Sequence, residues 1–131
     1  MTHIHSDLQR FNPVTVIGAG TIGLSWATLF LAHGLTVRLF DPRTDLQEIV
    51  DQHFKSIGST LSLLGLPSSG FESRLTIGSD LQHAVTGAAV IQENGPEKLE
   101  LKQQLFAEIE SYIEPHTLLL SSSSTIPASD I

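Results

Sequence analysis

Cysteine is absent from the 131 residues. That excludes disulfides, thiolate nucleophiles and cysteine-based zinc sites, and it is compatible with a reducing compartment. Positive charge is scarce: Lys and Arg total 7 against 14 Asp and Glu, for a formal net charge of -7. The few basic residues are dispersed, so the sequence has neither a basic footprint for nucleic acid nor a polybasic run for an anionic membrane. No apolar run approaches the roughly 20 residues of a spanning helix. The opening MTHIHSDLQRFNP is polar and has no apolar segment of the signal-peptide kind. These absences point to a cytoplasmic protein with neither membrane nor nucleic acid as partner.

What is present fits one folded domain. Hydrophobic residues make up 40% of the chain, too many for a disordered segment. After a polar arm over residues 1–12, strand-like and helix-like segments alternate through residues 13–131. Val14, Val16 and Ile17 form a β-branched run. GAGTIG follows, and Ile22, Trp26, Leu29 and Phe30 then recur at helical spacing up to a stop at Gly34. LTVRLF is a second strand. A helix follows, with Thr44 or Asp45 as cap and an apolar face of Leu46, Ile49, Val50, Phe54, Ile57, Leu61 and Leu64; Gly65 and Pro67 end it. RLTIG is a third strand, SDLQHAV a short helix with Ser79 as its expected cap, and AAVIQ a fourth strand. PEKLELKQQLFAEIESYI predicts a helix that turns Leu101, Leu105, Ile109 and Tyr112 or Ile113 inward, and TLLLS is the fifth strand. Strands alternating with helices predict an α/β fold of the Rossmann type, a doubly wound parallel sheet covered on both faces.

A G-x-G-x-x-G pattern alone is weak. Here Gly18, Gly20 and Gly23 follow a strand and open a helix, and Asp41 ends the next strand about 20 residues later, the spacing of a dinucleotide site. Gly18 permits the tight turn, Gly20 lets the backbone approach a pyrophosphate, and Gly23 lets the helix lie close to the sheet. The helix N-terminus offers unpaired N–H groups and partial positive charge. The candidate cofactor contacts are therefore Gly18, Ala19, Gly20, Thr21, Ile22 and Gly23, with Asp41 for the ribose. A carboxylate repels a 2′-phosphate, which favours NAD. Arg43, two residues on, is placed to turn towards such a phosphate and keeps NADP in play. The competing reading is a structural strand–turn–helix with a capping aspartate.

In such a sheet, ligands bind beyond the carboxyl ends of the strands. Gly18–Gly23, Asp41, the stretch QENGPEK and Ser121–Thr125 all follow strands. His116 precedes the fifth strand and is expected at the far rim. His3 and His5 lie in the arm, and His33, His53 and His83 lie in or at the end of helices, with no partners at metal-ligand spacing. No metal site and no Ser-His-Asp arrangement is expected.

In order and spacing, VIGAGTIGLSWATLF, FDP, IQENGPEKLELKQQLF and LLLSSSSTIPASDI resemble the NAD-binding domain of the L-3-hydroxyacyl-CoA dehydrogenase family. Trp26-Ala27 and the IQE-x-x-PE-x-L-x-LK block resemble most the branch of L-carnitine dehydrogenase and lambda-crystallin (L-gulonate 3-dehydrogenase). The resemblance covers about residues 14 to 131. It implies NAD as cofactor, Glu97 near the nicotinamide ribose, Lys102 near cofactor and substrate, and Ser124 bonding the substrate's 3-oxygen. Ser122 stands where many relatives have asparagine. It also implies hydride transfer from C3 of an L-3-hydroxy substrate. The polar positions that contact CoA in the acyl-CoA enzymes have no match in EIVDQHFKSIGSTLSLLG, so a small L-3-hydroxy acid competes with a CoA thioester. Ser121 and Ser123 are expected to cap the next helix or satisfy backbone groups.

The resemblance places the general base, a histidine, beyond Ile131, in a helical C-terminal domain that completes the cleft and carries homodimer contacts. These residues are thus expected to bind cofactor without catalysing alone, and to expose an apolar patch that promotes association. The alternative is a non-catalytic dinucleotide-binding or structural, crystallin-like module. The 3-hydroxyisobutyrate and 6-phosphogluconate dehydrogenases share the glycine loop but not the QENGPEKLELK block.

Overall fold

The structure, a computed structural model, describes residues 8–67, 70–78, 80–94 and 98–122. Strands and α-helices alternate as β1 (Val14–Ile17), α1 (Thr21–Ala32), β2 (Val37–Phe40), α2 (Leu46–Leu63), β3 (Leu75–Gly78), α3 (Leu81–Val85), β4 (Val90–Glu93), α4 (Leu99–Glu110) and β5 (Leu118–Ser121). The five strands form one sheet in the order β3-β2-β1-β4-β5, and every pairing is parallel. This is the doubly wound arrangement expected from the sequence. The chain leaves β1 towards one edge and returns after β3 to build the other half.

Register fixes where the site can lie. Ile17 pairs with Phe40 on one side and Glu93 on the other; Phe40 pairs with Gly78 and Glu93 with Ser121. The last residues of all five strands therefore stand in one row. Gly18, Asp41, Asn94 and Ser122, each the first residue beyond its strand, share one rim of the sheet.

The central strands are apolar because both of their faces are covered. All four residues of β1 are buried. On one face Val14, Val16, Val37 and Leu39 pack with Leu24, Leu31, Leu46, Val50 and Leu61 of α1 and α2. On the other, Ile17 and Ile91 pack with Leu81 and Val85 of α3 and Ile109 of α4. Burying one such side chain contributes about 1.5–3 kcal/mol. α2 turns its expected face to the core, with Leu46, Val50 and Leu61 buried and Ile49, Phe54 and Ile57 partly so; Leu64 lies beyond the helix end and is exposed.

Four expectations about facing and caps are corrected. In α1 the inward residues are Gly23, Leu24, Ala27, Thr28, Leu31 and Ala32. Ile22 and Leu29 instead point outward, 59% and 41% exposed, and Trp26 stacks on Phe30 beside them. The helix leaves the glycine turn so close to it that Gly23 must face the Gly18 carbonyl, and this contact sets the rotation that turns Leu24, Ala27 and Leu31 inward. In α4 Leu101 is exposed and Lys102 is buried, because a charged partner on β4 sets the rotation of the helix. In β5 the run 118–120 does not fill a strand buried on both faces: Leu118 and Leu120 are each 48% exposed, while Leu119 packs with the α4 side. Among the described residues β5 is an edge strand with α4 over one face only. The cap of α3 is Asp80, whose carboxylate accepts from His83 N at 3.3 Å, and not Ser79.

Leu120, Trp26, Leu29 and Phe30 border an open apolar groove of about 420 Å³ with Leu8 and Phe11, so the apolar surface expected from the sequence is present. Among the described residues no helix is long and apolar enough to cross a membrane.

Candidate functional site

At the carboxyl rim, between β1, β2 and β4, lies a cleft of about 420 Å³ walled by Gly18, Ala19, Gly20, Asp41, Asn94 and Leu101, among others. Its floor is the glycine turn. Gly18 adopts φ +97°, a conformation that other residues enter only with strain, and its N–H donates to Phe40 O at 2.8 Å, so the turn starts as a continuation of the sheet. Gly20 is the N-cap of α1, and a Cβ built there meets nothing within 4 Å. At Gly23 a Cβ would collide with the carbonyl oxygen of Gly18 and come within 2.9 Å of its carbon. Gly18 thus shapes the turn, Gly20 keeps the cleft open, and Gly23 lets α1 touch the turn.

The first backbone bond of α1 at this end runs from Leu24 N to Gly20 O at 2.9 Å. The amides of Thr21, Ile22 and Gly23 are left as the unsatisfied donors of a helix N-terminus, with the positive end of the macrodipole behind them. Ala19 differs: its N–H donates to Asp41 Oδ2 at 2.8 Å. The other carboxylate oxygen, Oδ1, accepts from Arg43 N at 3.0 Å. Two backbone amides therefore hold Asp41 against the glycine turn, and each oxygen keeps a lone pair for a hydroxyl. A bare-backbone turn, a helix N-terminus and a fixed carboxylate fit the pyrophosphate and ribose of a dinucleotide.

Arg43 does not reach the cleft. Its Nε and Nη2 donate to Asp45 Oδ1 and Oδ2 at 2.9 and 3.2 Å. That fork holds the Asp45 carboxyl below its usual range and raises the Arg43 guanidinium.

The β4–β5 side of the rim carries contacts that the sequence did not announce. Asn94 donates from its backbone N to Ile17 O at 2.8 Å and from Nδ2 to the same oxygen at 3.3 Å. It ties the tip of β4 to the start of the glycine turn. Gln92 Nε2 donates to Ser122 Oγ at 2.5 Å, and Ser122 N donates to Glu93 O at 2.9 Å. Lys102 Nζ donates to both oxygens of Glu93, at 2.7 and 3.0 Å, with both side chains 0% exposed. Ser121 Oγ donates to Glu93 Oε1 at 2.8 Å. The Lys102 ammonium is thus enclosed beneath the rim and matched by a carboxylate, as a buried charge must be.

Of the sequence-predicted residues, Gly18, Ala19, Gly20 and Asp41 line one cleft, and Thr21, Ile22 and Gly23 form the first turn of the helix behind it. Ser122 lies on the β5 side of the same rim, and Lys102 lies under it. Glu97 and Ser124 lie outside the described residues. Gln92, Glu93 and Asn94 were placed at this rim as part of the stretch QENGPEK, but none was given a role of its own. Two signals were available: an acid closing an apolar strand, and a lysine in the inward phase of α4. His116 stands at the opposite rim before β5, 3.4 Å from Glu114, as expected. Among the described residues no three His, Asp or Glu side chains gather as a metal site.

Comparison with known proteins agrees with this geometry. The family profile described as 3-hydroxyacyl-CoA dehydrogenase, NAD binding domain, matches residues 13–131. An L-carnitine dehydrogenase of Streptomyces coelicolor is 36% identical over 123 residues, covering 94% of this chain and 39% of that protein. A lambda-crystallin homolog of Bos taurus is 42% identical over 120 residues, covering 86% and 37%. The crystal structure of 3-hydroxybutyryl-CoA dehydrogenase from Escherichia coli superposes with a TM-score of 0.81 at 30% identity, covering 92% of this chain and 26% of that one. The chain thus spans about two-fifths of the length of these curated relatives. It belongs to the 3-hydroxyacyl-CoA dehydrogenase family of oxidoreductases, as the NAD-binding domain.

Proposed function

We propose that the cleft between the glycine turn and Asp41 holds NAD, and that the whole protein oxidises an L-3-hydroxy compound at C3. Bound there, NAD would supply the hydride acceptor. The Thr21, Ile22 and Gly23 amides and the bare Gly20 backbone receive the pyrophosphate, assisted by the α1 dipole. Asp41 receives the adenosine ribose hydroxyls. Glu97, Ser122 and Ser124 serve the nicotinamide and substrate end. Lys102 acts through its partners, because its ammonium is bonded to Glu93, which in turn accepts from Ser121. The observation that carries this reading is the 2.8 Å bond from Ala19 N to Asp41 Oδ2, which fixes the acid proposed for the ribose across the turn proposed for the phosphates.

The proton of the substrate hydroxyl needs a base. Among the described residues no histidine lines the cleft: His33 ends α1, His53 is on α2, His83 is on α3 beside Asp80 beyond β3, and His116 is at the far rim. We assign the base to a part of the protein outside these 131 residues. The substrate is an L-3-hydroxyacyl-CoA or a small L-3-hydroxy acid, and the whole protein is a homodimer. The likeness to L-carnitine dehydrogenases supports the small acid, and the likeness to lambda-crystallin homologs supports a second reading as a non-catalytic module.

Calorimetric titration with NADH tests the cofactor. Turnover of hydroxybutyryl-CoA, carnitine and gulonate by the longer protein and by these residues alone tests the rest. Normal turnover by these residues alone refutes the assignment of the base. NADH binding with no turnover by the longer protein favours the second reading.

A further inference from the structure

This inference rests on the cofactor reading above and extends it to the choice between NAD and NADP. Arg43 follows the ribose-facing Asp41 by two residues, a place from which a guanidinium can take a 2′-phosphate as a bidentate partner. In the structure that guanidinium is engaged elsewhere. It makes the two-bond fork to Asp45, and the cleft wall includes Asp41 and Pro42 but stops short of Arg43.

Asp45 is also out of its ordinary role. It is the N-cap of α2, where an aspartate usually accepts from a first-turn amide. It makes no such bond, and its carboxylate faces the guanidinium instead. The capping bond is forgone and Arg43 is held.

We propose that Asp45 is a specificity-determining residue: it draws the Arg43 guanidinium against the start of α2 and keeps its hydrogen bonds away from the ribose position beside Asp41. A dinucleotide bearing a 2′-phosphate then meets the Asp41 carboxylate with no guanidinium fork free to hold the phosphate, whereas one bearing a free hydroxyl finds an acceptor. Both members of the pair are nearly half exposed, at 44% and 48%, so the hold is modest and the discrimination graded.

The test is calorimetric titration with NADH and with NADPH at one fixed ionic strength, for the parent chain, Asp45→Asn, Asp45→Ser and the double variant Asp45→Asn/Arg43→Ala. Asp45→Ser removes the charge but supplies a good cap, so a loss of helix stability cannot mimic the result. The ratio of the NADPH Kd to the NADH Kd is expected to fall about fivefold in both single variants, the scale of one charge-assisted contact at an exposed site. It is expected to return to the parent value or above in the double variant. An unchanged ratio in the single variants, or a fall that persists without Arg43, overturns the role of Asp45 and leaves the cofactor reading standing. Failure of the parent chain to bind NADH overturns the cofactor reading and this inference with it.

Discussion

Two glycines of one turn should fail in opposite ways when given a methyl group. At Gly23 the added carbon would overlap the Gly18 carbonyl oxygen and lie 2.9 Å from its carbon, and both atoms are backbone that cannot rotate aside. α1 must retreat by about 1 Å or more, which forfeits roughly a quarter to a half of the dispersion attraction of each atom pair across its inner face. That face carries Leu24, Ala27, Leu31 and Ala32, all buried. Overpacking typically costs about 1–3 kcal/mol, and the upper end applies where backbone opposes backbone. Gly23→Ala should therefore lower Tm by on the order of 10 °C. Gly20→Ala adds a methyl where nothing lies within 4 Å, at φ -73°, which alanine adopts freely. The gain of about 0.4–1 kcal/mol from a stiffer unfolded chain roughly offsets a poorer cap. Its Tm should stay within about 3 °C of the parent, while NADH binding weakens at least about tenfold, because the methyl occupies space a pyrophosphate needs. Thermal unfolding and calorimetry on both variants decide. A stable Gly23→Ala chain refutes the close approach of helix and turn. A Gly20→Ala chain that binds NADH as well as the parent refutes the placement of the cofactor.

The buried pair gives a second expectation. Glu93→Gln leaves the Lys102 ammonium enclosed without its charge partner and should cost about 3–5 kcal/mol by urea unfolding, with Glu93→Gln/Lys102→Met recovering much of the loss. His53 gives a third. Its Nε2 lies 3.1 Å from Thr28 Oγ1, whose own proton goes to Leu24 O, and burial lowers its pKa from 6.5. The unfolded chain therefore takes up the proton first. Stability from this group is complete above pH 6.5 and is lost as pH falls through the lower folded pKa, so His53→Gln should flatten urea midpoints between neutral and mildly acid pH. Asn94→Ala removes the Nδ2 bond to Ile17 O; it should cost about 1 kcal/mol and weaken NADH binding with little change in cooperativity, measured by the same two methods.

The parts of the fold legible from the chain are those set by local rules. Gly18, Gly20, Gly23 and Asp41 work through backbone geometry at fixed separations, and alternating strands and helices leave few parallel topologies open. The rotation of α1 was not legible. Apolar periodicity picked out Ile22, Trp26, Leu29 and Phe30 at helical spacing, but the inward stripe is Gly23, Leu24, Ala27 and Leu31, because the contact of Gly23 with the Gly18 carbonyl sets the helix rotation. The same rule failed at α4, where Lys102 displaces Leu101 from the inward phase to reach Glu93. Such pairings depend on tertiary distance and leave only a faint mark, an acid closing an apolar strand. Glu97 and Ser124 fall outside the described residues, so their roles rest on the resemblance.

The rim also constrains ligand size. From Asp41 beyond β2 to Ser122 beyond β5 the sheet takes three inter-strand steps, β2 to β1 to β4 to β5. At about 4.8 Å each, that is roughly 14 Å. Hydrogen bonds brace the interval: Ala19 to Asp41, Asn94 to Ile17 O, and Gln92 to Ser122. A ligand answering to both ends must be extended, with an anionic middle over the α1 N-terminus and hydroxyl-bearing groups towards the acid. A mononucleotide meets the acid and the turn but leaves the β4–β5 side uncovered. A dinucleotide crosses the whole rim and brings its second base to the edge where Ser121 and Ser122 begin. The β5 edge thus lies two strands from the glycine turn, so a group held at Ser122 leaves the contacts around Asp41 and Gly18 untouched.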